Sequence, residues 1–239
     1  MGAAIGAVLR QRGTGVLWAS EGRSKATAAR AEAAGLSDVG GVAEVSRRSD
    51  ILLSVCPPHA AAEVAAAVGD FRGLYVDANA ISPATARRIG ARFRRFVDGG
   101  IVGGPPADAR GPRLYVSGPD ARAVPELFEG TPVDVRILSD RLGDASALKM
   151  VYAAWTKGSA ALLLAIRDVA RAEGVEQALL EEWRQSLPAL EARAEAAARS
   201  ADAKGWRWIA EMQEIAATFE AAGGPRGFHD AAGEVFRRG

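Results

Sequence analysis

A single cysteine, Cys56, stands in a chain of 239 residues, so no disulfide can close within it. With only two histidines beside that thiol, His59 and His229, a zinc site is not expected. No apolar run reaches the length of about eighteen residues that a membrane span requires, and the start lacks the basic, apolar and small-residue regions of a secretory leader. A cytoplasmic protein that does not engage a membrane is therefore expected. Neither sign of charge dominates: 30 Lys and Arg against 29 Asp and Glu leave a net charge of +1, without the basic field that nucleic acid attracts. Lysine itself is scarce, with Lys25, Lys149, Lys157 and Lys204 making up the whole set, so each can be weighed singly.

What is present is an apolar fraction of 49%, enough for a sizeable core. In the first half, short apolar runs (15–19, 51–55, 74–76, 96–98, 114–116 and 135–138) alternate with Ala-rich amphipathic segments. That alternation predicts βαβ units and a parallel sheet of Rossmann type. Ser82-Pro83 supplies a cap and a proline for a helix start, and Pro57-Pro58 follows a strand. After Arg141 the pattern turns helical only. The stretch 145–173 holds one glycine, Gly158, and as a helix would run roughly 40 Å and bridge two domains. Gly174, Pro188, Gly205 and Gly223-Gly224-Pro225 then mark off about four shorter helices. The expected domains are 1–141, α/β, and 142–239, all-α.

The chain opens Met1-Gly2-Ala3-Ala4-Ile5-Gly6 and continues as an apolar-periodic helix to about Arg12, then a strand ending at Trp18-Ala19-Ser20. This resembles the second half of a Gly-rich phosphate-binding turn. It is similar to the opening of the β-hydroxyacid dehydrogenase and 6-phosphogluconate dehydrogenase superfamily, whose G-x-G-x-M-G motif is matched by Met1 and Gly2 at its end alone. The first strand and two earlier glycines have no counterpart, which is expected to reflect either a start assigned inside the motif or a truncation. The resemblance implies an NAD(P)-binding domain followed by a compact helical domain, a small-molecule substrate, and a homodimer formed through the helical domain.

After the second strand, Ser20 stands where NAD-specific sites carry an acid, Arg23 can pair with a 2′-phosphate, and Ser24 is placed to cap the next helix. NADP(H) is thus expected over NAD(H), although Glu21 could accept from a ribose hydroxyl. By resemblance, Cys56 and Pro57 lie in the loop flanking the cofactor ribose. Asp77-Ala78-Asn79-Ala80-Ile81-Ser82-Pro83 is similar to D-x-S-T-x-x-P, with Asn79 approaching the nicotinamide or substrate. Asp98-Gly99-Gly100-Ile101-Val102-Gly103-Gly104 resembles D-A-P-V-S-G-G, making Gly103 and Gly104 candidate backbone donors to a substrate carboxylate.

The last motif, Gly143 to Ala153, is similar to G-x-x-G-x-G-x-x-x-K-x-x-N-N and retains its lysine, Lys149. Helical spacing sets Ser146, Lys149 and Tyr152 along one side, as substrate contacts flanking a general acid/base. The family's asparagines are replaced by Tyr152 and Ala153. The resemblance implies oxidation of a β-hydroxy acid, or reduction of a related carbonyl, with Lys149 exchanging the proton. An imine reductase and a catalytically silent dimeric relative that lost cofactor binding are the alternatives, and no metal is expected.

Overall fold

The computed structural model describes residues 1–106 and 111–238 and divides into two compact units, Met1–Lys149 and Met150–Gly239. The first unit begins with helix α1 (Gly2–Gln11), whose Ile5, Gly6 and Leu9 are buried. Strand β1 (Leu17–Trp18), helix α2 (Lys25–Ala33) and strand β2 (Ser37–Asp38) follow, and β1 pairs parallel with β2 as a separate two-stranded sheet. Helix α3 (Val42–Arg48) leads into β3 (Ile51–Ser54), α4 (Ala61–Ala67), β4 (Leu74–Asp77), α5 (Pro83–Gly90) and β5 (Arg95–Val102). Then come β6 (Arg113–Ser117), α6 (Val124–Phe128) and β7 (Asp134–Ser139).

These strands form a second sheet in the order β3-β4-β5-β6-β7. It is parallel from β3 to β5, but β6 runs antiparallel to β5 and β7 runs with β6. The sheet is parallel-rich rather than parallel throughout, a distinction that apolar runs cannot carry because their periodicity is blind to strand direction. Strand β5 is buried from Phe96 to Val102, as a strand covered on both faces should be. One face packs Ile5 and Leu9 of α1 with Val76, Val97, Leu114 and Phe128; the other packs Val45, Ala65, Tyr75, Ile89 and Phe96. The unit is therefore a three-layer sandwich with helices on both faces.

Helix α7 (Asp144–Ala172) starts in the first unit and continues into the second, which adds α8 (Glu176–Ser186), α9 (Leu190–Ala221) and α10 (Gly227–Arg238). Among the described residues three helices thus follow α7, against the expectation of about four. Gly205, read as a breaker, lies inside α9 and is buried with the Phe236 carbonyl of α10 nearby. A lone helical glycine costs about 1 kcal/mol relative to alanine, which the packing of a 32-residue helix outweighs. Between α7 and α9, Lys157 Nζ lies 3.2 Å from Glu211 Oε1, with the Glu211 side chain buried and that of Lys157 partly so. No described helix is long and apolar enough to cross a membrane.

Candidate functional site

In doubly wound sheets, ligands bind beyond the carboxyl ends of the parallel strands. Three segments converge there. Gly2, at the start of α1, lies against Val55: a Cβ added to it would stand 3.5 Å from the Val55 carbonyl oxygen. The loop after β1 brings Arg23 close enough to Cys56 for its positive charge to act on that thiol. The start of α1 and the loops after β1 and β3 therefore share one edge. Helix α1 has no acidic residue in its first turn and no side-chain cap, so its own first turn does not oppose an anion at its positive end. This donor set, α1 and Arg23, fits the phosphates of a dinucleotide.

Ser20 is partly exposed there, and Met1 and Arg23 are exposed. Ser24 caps α2, its hydroxyl accepting from the Thr27 N–H at 3.3 Å. Glu21 turns elsewhere: its Oε2 would stand 3.0 Å from a Cβ added at Gly41, the residue preceding α3. Pro57 precedes a short 3₁₀ turn, Pro58–Ala60. Burial and the charge of Asp77 push the Cys56 thiol up to about 11, against the Ser54 hydrogen bond and Arg23.

Asn79 has a different place from the one its motif suggests. It is 2% exposed, its Oδ1 accepts the Cys56 N–H at 2.6 Å, and its Nδ2 donates to Ser54 Oγ at 2.9 Å. Its N–H donates to Asp77 Oδ1 at 3.0 Å. Asn79 thus ties the loop after β4 to the end of β3, and its amide is committed within the fold. The other carboxylate oxygen of Asp77 is buried without a hydrogen-bond partner. Burial, helped by the neighbouring Asp98 and opposed by the Asn79 hydrogen bonds, raises Asp77 to about 7.

Asp98 is the register partner of Asp77 on β5 and equally buried, yet its surroundings differ. It accepts from the Ser146 hydroxyl at 2.5 Å, the Ser146 N–H at 2.9 Å and the Ser117 hydroxyl at 3.0 Å. Ser117 Oγ in turn accepts the Ala145 N–H at 3.0 Å. Burial raises the Asp98 carboxyl while these donors hold it down. The arrangement clamps the first turn of α7 to β5 and β6. Ser146 is therefore fully buried on Asp98, not open on the same side as Lys149.

Gly100 completes the clamp. A Cβ there would lie 2.9 Å from both the Ala145 carbonyl oxygen and Lys149 Cβ, so strand and helix approach this closely only with glycine. Lys149 is half-buried beside that contact. Gly103 and Gly104 are exposed beyond the end of β5, Gly103 with a φ of +116°. Tyr152, less than one turn beyond Lys149, is exposed. Among the described residues no cluster of three or more metal-ligating side chains occurs.

Asp38, Asp77 and Ser117 escaped sequence reasoning as functional or positioning residues. Asp38 lies on a two-residue exposed strand without periodicity, while Asp98, which faces Asp77 on the next strand, and Ala145, which donates to Ser117, are remote from them in sequence.

Residues 170–239 match a family described as "Domain of unknown function (DUF1932)". An uncharacterized 28.5 kDa protein of Methanothermus fervidus is 32% identical over 164 residues, 67% of this chain, a match spanning 64% of that protein's length. The conserved protein MTH1747 of unknown function, described as structurally similar to 3-hydroxyacid dehydrogenases, aligns with a TM-score of 0.70 at 28% identity, covering 99% of this chain and 92% of its own. The 3-hydroxyisobutyrate dehydrogenase of Salmonella typhimurium shares the fold at 16% identity and a TM-score of 0.74, with 99% and 90% covered. An imine reductase and a reductive aminase share it at 22% and 20% identity.

Proposed function

We propose that this chain, which has the β-hydroxyacid dehydrogenase-like architecture of an NAD(P)-binding-type domain followed by a helical domain, is a nicotinamide-dependent oxidoreductase acting on a β-hydroxy acid or a related carbonyl compound. The observation that carries the reading is the placement of Lys149. It stands on the first turns of a helix held by Asp98, Ser117 and Gly100, so its backbone position is fixed as a general acid or base requires. The cofactor would supply the hydride. Lys149 would give a proton to, or take one from, the substrate oxygen, while the exposed Gly103-Gly104 turn and Tyr152 would contact the substrate. Ser146 is not assigned a substrate contact, because Asp98 engages both of its donors.

Arg23 and α1 would bind the dinucleotide phosphates, and NADP(H) is the proposed cofactor because Arg23 offers a partner to a 2′-phosphate. The same reading makes the protein a homodimer through its helical domain. Along α7, Trp155, Leu162 and Val169 are exposed at seven-residue spacing, with Val151 one turn before them, an apolar stripe suited to a second helix. Light scattering of the purified chain checks this, and a monomer at micromolar concentration would refute it.

The decisive experiment is Lys149→Ala. Turnover of a responsive β-hydroxy acid should fall by about 10²- to 10⁴-fold while cofactor affinity stays within about threefold. Unchanged turnover would remove Lys149 from the chemistry, and an unaltered chain that binds neither NADPH nor NADH would sink the oxidoreductase reading.

A further inference from the structure

The pairing of β3 with β4 is prolonged by a side chain. The last rung of their ladder takes the Ala78 N–H to the Ser54 carbonyl at 2.9 Å, and in a parallel pair the next would run from the Cys56 N–H to the Ala78 carbonyl. Asn79 takes that place. Its Oδ1 accepts the Cys56 N–H at 2.6 Å, its Nδ2 donates to Ser54 Oγ at 2.9 Å, and Ser54 Oγ lies 4.0 Å from Cys56 Sγ. These contacts close a ring around residues 54–56, with the Asn79 side chain buried in it. The Asn79 main chain is fixed in turn, because its N–H donates to Asp77 Oδ1 at 3.0 Å.

A carboxamide suits this place, since one end must accept from a main-chain N–H while the other donates to a hydroxyl. Asn79→Asp would lack the donor, and Asn79→Ala would lack both groups. Between the two held residues stands Val55, and the start of α1 rests against it. A Cβ on Gly2 would lie 3.5 Å from the Val55 carbonyl oxygen and 3.6 Å from Val55 Cβ. The first bond of α1 takes the Ile5 N–H to the Met1 carbonyl, which leaves the earlier N–H groups of the helix for a ligand. Whatever holds Val55 therefore also sets where those donors stand.

We infer that Asn79 is a positioning residue for dinucleotide binding: by holding Ser54 and Cys56 it fixes Val55, and with it the spacing between the loop after β3 and the first turn of α1. Asn79 contacts no cofactor atom in this scheme. It acts only through the main chain of residues 54–56. The inference rests on the dinucleotide site proposed above and identifies the residue that keeps two of its walls in register.

Amide hydrogen exchange at Cys56, followed by NMR, and calorimetric titration with NADPH and NADH test this on the full chain. Without cofactor, Asn79→Ala should speed exchange of the Cys56 N–H by at least about tenfold while the central β3–β4 amides keep their protection. It should also weaken NADPH and NADH alike, each by about fivefold to tenfold, the size of one lost hydrogen bond. Both affinities are read well below each variant's unfolding midpoint, where a role in folding alone leaves them unmoved. Ser54→Ala, which spares the Cys56 bond, should weaken both by about threefold and add nothing in the Asn79→Ala background. Faster exchange with unmoved affinities overturns the inference, as does weaker binding with Cys56 still protected, or full additivity of the two substitutions. Should Asn79→Ala fail to fold, Ser54→Ala decides alone, and unchanged affinities overturn the inference. If the unaltered chain binds neither nucleotide, the dinucleotide reading itself fails and this inference falls with it.

Discussion

Asp38 and Asp98 both accept a hydrogen bond from a backbone N–H, yet one lies on an exposed two-residue strand and the other under the first turn of a 29-residue helix. At the β1–β2 edge, water still solvates the carboxylate, so its charge can influence whatever binds beside it. At the β4–β5 edge, Asp77 and Asp98 are fully buried, and their energies depend chiefly on the donors the fold supplies. Asp98 has three; Asp77 has one backbone N–H and an orphaned oxygen. The same residue type is thus solvated at one edge and architectural at the other.

The largest effect is expected from Asp98→Ala. It leaves the Ser117 and Ser146 hydroxyls and the Ser146 N–H buried without their acceptor, and chemical denaturation should register a loss of about 3–5 kcal/mol. A loss below about 1 kcal/mol would show that the clamp does not hold α7. Asp77→Asn should act in the opposite direction and only in part of the pH range. Because the folded carboxyl titrates at about 7 instead of its ordinary 3.8, the stability it contributes is complete below about pH 4 and is lost as pH rises through about 7.

Removing that titration should flatten the profile and leave the variant more stable than the native chain at pH 8, by at most about 4 kcal/mol. Parallel profiles for the two proteins from pH 4 to 8 would show that Asp77 does not carry the proton. The smallest effect belongs to Asp38→Asn, whose unchanged unfolding midpoint would sharpen the contrast between the two edges, and whose destabilisation would blur it.

How much of this the sequence disclosed follows the same division. The strands from β3 onward and helices α1 and α7 were readable because each is an apolar run or a period that burial demands. Strand β2 was not: Ser37 and Asp38 are exposed, polar and only two residues long. The reversal of β6 and the continuity of α9 through Gly205 depend on neighbours that no local pattern names. In the site, the lysine helix and the double-glycine strand were recognisable as motifs, but the partners of their residues were not. Ser146 and Asn79 both looked like ligand contacts, and both are engaged inside the protein, by Asp98 48 residues away and by Ser54 25 residues away.

The Asn79 bridge between Ser54 and the Cys56 N–H also gives the molecule a chemical reporter of its own motion. Cys56 is the sole thiol of the chain and is held largely in its unreactive protonated form, so a thiol-specific reagent reads one position and reads it slowly. A change in the labelling rate then reports a change in the exposure of the loop after β3 or in the charge beside the thiol, without any engineered probe.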